Sequence, residues 1–150
     1  MSWPSVPVLG IVVAILGLAC YVLPPLLFPD TNPEKIYGHP LIPWFAMAYG
    51  EFRLWPTMCL LFAVGAFAGA VQPGRWLLLG LLTISLPPIL HAINVTHDII
   101  VDPTSHNLFP FEFAIIGFTL VPALAGAFLG SRLSGDSSDR DVILAQADGL

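Results

Sequence analysis

Apolar residues fill four long blocks of this chain, Val6–Leu23, Leu54–Val71, Trp76–Asn94 and Phe111–Gly130, and polar residues gather between them and after the last. Each block approaches the ~20 residues a helix needs to cross a hydrocarbon core of about 30 Å. The pattern predicts an all-α bundle of four transmembrane helices over about 6–27, 44–71, 75–98 and 111–131, in one domain spanning 1–131. Gln72–Pro73–Gly74–Arg75 reads as a tight turn, and only Pro24–Arg53 and Val95–Pro110 are longer connections. Residues 132–150, with Ser134, Gly135, Asp136, Ser137, Ser138, Asp139, Arg140 and Asp141, read as a flexible polar tail, too charged to bury a core.

The two halves of the chain echo one another. Leu23-Pro24-Pro25-Leu26-Leu27 returns as Leu86-Pro87-Pro88-Ile89-Leu90, and His39-Pro40-Leu41-Ile42-Pro43-Trp44 as His106-Asn107-Leu108-Phe109-Pro110-Phe111. Phe52, Leu54 and Pro56 match Phe118, Leu120 and Pro122, and Gly65-Ala66-Phe67-Ala68-Gly69 matches Gly126-Ala127-Phe128-Leu129-Gly130. Four echoes in one order, at offsets between 61 and 67 residues, predict two consecutive hairpins related by internal duplication, with the repeat axis along the membrane normal. Pro43 and Pro110 then fall at helix starts, where a missing N–H is harmless. The pairs Pro24–Pro25 and Pro87–Pro88 should break or kink the outgoing helices toward their outer ends. The Gly-x-x-x-Gly pairs, with Gly10, Ala14 and Gly17 of the first helix, read as faces for close helix packing. The second helix is longer than its twin, so its first turns, Trp44–Glu51, should project or lie along the surface, with Gly50 a place for a bend.

Composition agrees with membrane residence: 56% of residues are hydrophobic, 10% are charged and mean hydropathy is +0.82, where a soluble domain carries about 25% charged residues. The net charge of −5 says little about partners, because four of the ten acids lie in the tail. No Lys/Arg cluster exists to hold phosphates, which excludes nucleic acid as a partner. Arg75, Arg132 and Arg140 fall on one side of the predicted membrane and Lys35 and Arg53 on the other, which predicts cytoplasmic termini in a cell (inner) membrane. The outer side then holds Asp30, Glu34, Glu51, Asp98, Asp102, Glu112 and every histidine, with Tyr37, Trp44, Phe45, Tyr49, Trp55, Phe109 and Phe111 as an interfacial belt. The first block has no positive n-region or small-residue cleavage site and reads as a retained helix. Cys20 and Cys59 sit at similar depth on neighbouring helices, which leaves a disulfide and two buried thiols both open. Asn94-Val95-Thr96 matches a glycosylation acceptor by chance composition.

One constellation carries candidate chemistry: His91, Asn94, His97, Asp98, Asp102, His106, Asn107 and Glu112. On a continuing helix His91, Asn94 and Asp98 stand at i, i+3 and i+7, along one face. Asp102 opens a turn in which its side chain reaches following N–H groups, and Glu112 suits the first turn of the fourth helix. Three readings follow. The residues cap the kinked helix ends; or His91, His97 and His106 with Asp102 bind zinc or copper, although their spacing matches no standard ligand motif. In the third, His91, Asn94, Asp98 and Glu112 bind protons or a polar ligand, since an ionisable residue at membrane depth is a functional candidate. Arg53 is placed to pair with Glu112 or Asp98 and clamp the two repeats. No phosphate loop, Gly-x-Ser-x-Gly elbow, Cys-x-x-Cys pair or His-Glu-x-x-His helix occurs, so whether the chain is an enzyme stays open. The leading expectation is a non-enzymatic accessory or scaffolding component of a membrane assembly, as a homo-oligomer or within a larger complex, with no cofactor. The alternatives are a small membrane enzyme, a metal- or ligand-binding protein and, third, a proton-linked transporter.

Overall fold

The computed structural model describes residues 5–27, 41–50, 53–104 and 109–147, which are helical with no strand among them. Its helices are α1 (Val6–Leu27), α2 (Pro43–Gly50), α3 (Leu54–Val71), α4 (Trp76–Thr83), α5 (Leu86–Val101), α6 (Phe109–Phe118) and α7 (Leu120–Ala147), and a short 3₁₀ turn at Pro73–Arg75 joins α3 to α4. Four helical stretches are long and apolar enough to cross a membrane: Pro7–Leu27, Leu54–Val71, Pro73–Val101 and Pro110–Gly135. The fold is thus the all-α bundle that the apolar blocks predict.

The third and fourth spans are each broken into two helices. Pro87 and Pro88 lack the N–H groups that would return to the carbonyls of Thr83 and Ile84, four residues back. The chain tightens there into short-range bonds, Ile84 N–H to Leu81 O at 3.3 Å and Ser85 N–H to Leu82 O at 3.1 Å, before α5 begins. In the fourth span the N–H and hydroxyl of Thr119 both turn back to Ile116 O, at 3.1 and 2.6 Å. Pro122, in the first turn of α7, withholds the bond that would carry α6 through. The expectation for Pro24 and Pro25 needs correction, since α1 runs through both to Leu27.

Two further boundaries differ from expectation. The long second helix is divided into α2 and α3, with Arg53 in extended geometry (φ −101°, ψ 90°) at the start of α3. The last helix does not stop near residue 131 but continues to Ala147, with no proline after Pro122 to end it. The predicted flexible tail is therefore helical over most of its length.

Packing centres on the parallel pair α3 and α7, where glycines bring backbone against backbone. A Cβ on Gly65 would lie 3.1 Å from the carbonyl carbon of Ala123, and one on Gly126 would lie 2.9 Å from that of Phe62. One turn on, Gly69 and Gly130 stand in the same relation to Ala127 and Ala66, at 2.7 and 2.8 Å. Each contact is the mirror of the other at one constant offset. Small residues admit such approach where lipid gives helices no hydrophobic reason to associate. Helix α1 runs antiparallel to α3: Leu9 and Val13 pack on Ala68 and Leu79 at one level, and Cys20 and Tyr21 on Leu61 and Ala123 at the other. Ile11, Ile15, Leu26, Phe67, Ile100 and Phe111 face outward.

The glycine register also fixes relative depth. Gly65 comes twelve residues after Arg53, whereas Gly126 comes seven after Thr119. At 1.5 Å per helical residue, the Thr119 break lies roughly 7 Å deeper than the start of α3.

Candidate functional site: a polar seam on α5

Among the described helices α5 most clearly combines a polar stripe with an apolar one, and it turns the polar stripe inward. His91, Asn94 and Asp98 are 4, 4 and 3% exposed, stacked as their spacing predicts. Such residues stay buried only where their polar atoms find partners. His91 Nε2 lies 3.1 Å from Glu112 Oε2, so that an Nε2–H donates to the carboxylate and joins α5 to α6. The Phe113 ring meets the His91 ring edge to face, with centroids 5.1 Å apart. Glu112 is in the first turn of α6, as expected, and its side chain is 26% exposed against 5% for His91. The pair therefore has one deep member and one reachable from outside.

Asn94 clamps the entry to α2. The Ile42 N–H donates to Asn94 Oδ1 at 2.8 Å, and Asn94 Nδ2 donates to Ile42 O at 3.4 Å. One side chain thus satisfies two backbone groups just before Pro43, which opens the helix. Buried and bonded in this way, Asn94 does not present a glycosylation acceptor. Asp98 is buried at the next level, and its backbone carbonyl accepts the Asp102 N–H at 2.7 Å, closing α5. Asp102 forms the predicted turn, accepting the Thr104 N–H at 3.0 Å and the Thr104 hydroxyl at 2.7 Å.

Several predicted groupings are not formed. His97, six residues beyond His91, is turned well away from it and lines an open groove of about 560 Å³ with Leu41, Ile93 and Ile100. Among the described residues no three His, Cys, Asp or Glu side chains could hold a metal ion. The zinc or copper set is therefore not assembled from His91, His97 and Asp102, and His106 lies outside the described residues. Cys20 and Cys59 are both free thiols, Cys20 buried and Cys59 exposed, so the disulfide is not made. Cys59 is two residues, about 200° of helical rotation, from the inward Thr57 and Leu61. Arg53, half-buried at the start of α3, is itself engaged, as are Glu112 and Asp98.

A second buried polar group escapes sequence reasoning. The Tyr21 hydroxyl of α1 bonds to the Thr119 hydroxyl at the break in the fourth span. One turn earlier on α1, Gly17 abuts the Thr83 carbonyl at the break in the third span. Tyr21, Thr83 and Thr119 are all essentially inaccessible. Helix α1 is therefore a strut that touches both breaks. The available signal was the placement of Thr83 and Thr119 four and three residues ahead of a proline, where a hydroxyl can bond to a nearby carbonyl.

Four spans, two of them broken, with a histidine bonded to a carboxylate between two half-helices, define a small helical membrane protein. No protein-family model, curated protein or solved structure matches the chain.

Proposed function

We propose that this protein is a non-enzymatic component of a membrane assembly, an accessory or scaffolding subunit acting through its helical framework. One observation carries the reading: the buried polar atoms of α5 are engaged in architecture, His91 with Glu112 on α6 and Asn94 with the Ile42 backbone. The glycine-mediated pair α3 and α7 supports it, because backbone contact suits a rigid frame better than a gated path. The test is the size and composition of the particle extracted from native membranes in mild detergent. We expect a particle larger than one chain, with a second copy or another protein at fixed stoichiometry. A strictly monomeric, partnerless particle would overturn the reading.

On this reading the duplicated hairpins arose from one ancestral pair of helices, and both termini face the cytoplasm of a cell membrane. The orientation rests on Arg75 and Arg132 lying at one end of the bundle and Arg53 at the other. Cysteines introduced as Arg75→Cys and Thr104→Cys report it, since the span Pro73–Val101 separates the two positions and both are exposed. In a Cys59→Ser background, a membrane-impermeant thiol reagent added to intact cells should label position 104 and spare position 75. The reverse labelling would invert the topology.

A further inference from the structure

We propose that His91 and Glu112 form a proton-binding site that latches the half-helix α6 against α5, so that acidification at that end of the bundle releases α6. The inference goes beyond the assembly role and does not depend on it.

The geometry supplies a movable part, a tie and a route for the proton. Helix α6 is only 10 residues long and is separated from α7 by the turn at Thr119. Among the described residues it packs appreciably only on α5 and α7. Toward α3 it leaves an apolar groove of about 390 Å³, lined by Leu54, Phe111, Ala114, Ile115 and Phe118. Its partner α5 is likewise a half-helix, set off from α4 by the break at Ile84–Ser85. Helices interrupted within the membrane are where membrane bundles place ion sites.

The tie is charge-assisted, and such bonds are strengthened by an apolar surround. The His91–Glu112 contact, with Phe113 against the imidazole, has that surround. A proton on the imidazole alone keeps the tie; once acidification also passes the ordinary carboxylate range, a proton added to a Glu112 oxygen removes its charge and leaves His91 facing a neutral acid. Because Glu112 is the exposed member, the proton arrives there without entering the core. The titratable groups on the elements packed against α5 are Glu112 of α6, Cys20 and Tyr21 of α1 and Tyr49 of α2, with His97 and Asp98 on α5 itself. Cys20 and Tyr21 face the Leu61 and Ala123 cluster, and Asp98 stands two turns beyond His91.

The experiment measures the separation of α6 from α5 in the full chain in lipid nanodiscs. Spin labels at Ala114→Cys and Ile93→Cys, in a Cys59→Ser background, report it by pulsed electron resonance. Measurements run from about pH 8 to about pH 4, across the ordinary histidine and carboxylate ranges. We expect one narrow distance near neutrality and, on acidification, a broader distribution longer by on the order of one helical turn, ~5 Å. Glu112→Gln should give the broad distribution throughout, and so should His91→Leu, an independent check should the first variant fail to fold. Asp98→Asn should keep the transition, as should protein treated with a chelator. A pH-independent distance in the parent protein, or a transition that survives Glu112→Gln, would overturn the proposal.

Discussion

Gly17→Ala should be the most damaging single-methyl change in the protein. The Thr83 carbonyl has Pro87 where its helical donor would stand, and it is turned toward α1 at Gly17. A Cβ added there would overlap that oxygen and lie 2.6 Å from the carbonyl carbon. Both partners are backbone, so no side-chain rotation relieves the clash and α1 must shift as a body. That shift pulls on the Tyr21–Thr119 hydrogen bond one turn along and on the cluster of Cys20, Tyr21, Leu61 and Ala123. Overpacking at yielding sites costs about 1–3 kcal/mol, and a clash between two backbones should reach or exceed the top of that range. Gly10→Ala is the matched control. Its added Cβ would meet only the Leu82 Cδ1 at 2.9 Å, the far end of a flexible side chain, and alanine recovers up to ~1 kcal/mol of helix propensity. Thermal midpoints in one detergent should separate the two variants widely; equal midpoints would mean that α1 does not press on the break.

This contact ties α1 to the candidate site. The break at Ile84–Ser85 sets the direction in which α5 leaves α4, and α5 carries His91, Asn94 and Asp98. By touching the breaks of both the third and fourth spans, α1 fixes two outer half-helices through one face. The inner halves α4 and α7 pack against each other with Gly80 beside Leu124 and with Trp76 edge-on to Phe128. The other halves, α5 and α6, are joined by His91 and Glu112.

Sequence patterning exposes the parts of this fold that depend on one helix at a time. Long apolar blocks are unambiguous, and the i, i+3, i+7 spacing of His91, Asn94 and Asp98 places them on one face wherever the helix goes. Glu112 was legible as a first-turn anion and as a member of the His91 group. What escaped depends on pairs of helices or on the exact residue left without a partner. Pro87 and Pro88 mark a break, but the carbonyls they abandon lie four residues earlier, so the chain parts before the prolines. The same pair at positions 24 and 25 is carried inside α1 without a break. Thr119 carries no glycine or proline of its own, and its break follows from Pro122 three residues on. The partner of Asn94 is the Ile42 backbone, 52 positions away and indifferent to side-chain identity. Cys20 and Cys59 share a depth, but depth does not set rotation about the helix axis, and rotation decides whether thiols meet.

The glycines of α3 and α7 should respond to substitution in matched pairs. Gly65→Ala and Gly126→Ala each force a Cβ into a carbonyl of the facing helix, 3.1 and 2.9 Å from its carbon, and Gly69→Ala and Gly130→Ala do so at 2.7 and 2.8 Å. Each of the four should cost about 3 kcal/mol, with members of a pair agreeing to within about 0.5 kcal/mol. Gly117→Ala has nothing within 4 Å of the added atom and should be neutral or slightly stabilising. Reversible unfolding in mixed micelles measures all five on one scale. Unequal costs within a pair would show that one helix yields and the other does not, so that the two faces are not equivalent. Equal costs would extend the symmetry from geometry to energy, as two copies of one hairpin packed about an axis along the membrane normal require. The glycine motifs correspond at an offset of 61 residues, whereas Leu54 and Leu120, which begin α3 and α7, correspond at 66. The hairpins thus match at the inner ends of these helices and slip by more than one turn toward the outer ends. That slip carries the Thr119 break below the level of Arg53, into reach of Tyr21. The half of the bundle where the glycine contacts recur at one offset is its close-packed frame, and the other half holds the histidine–carboxylate pair.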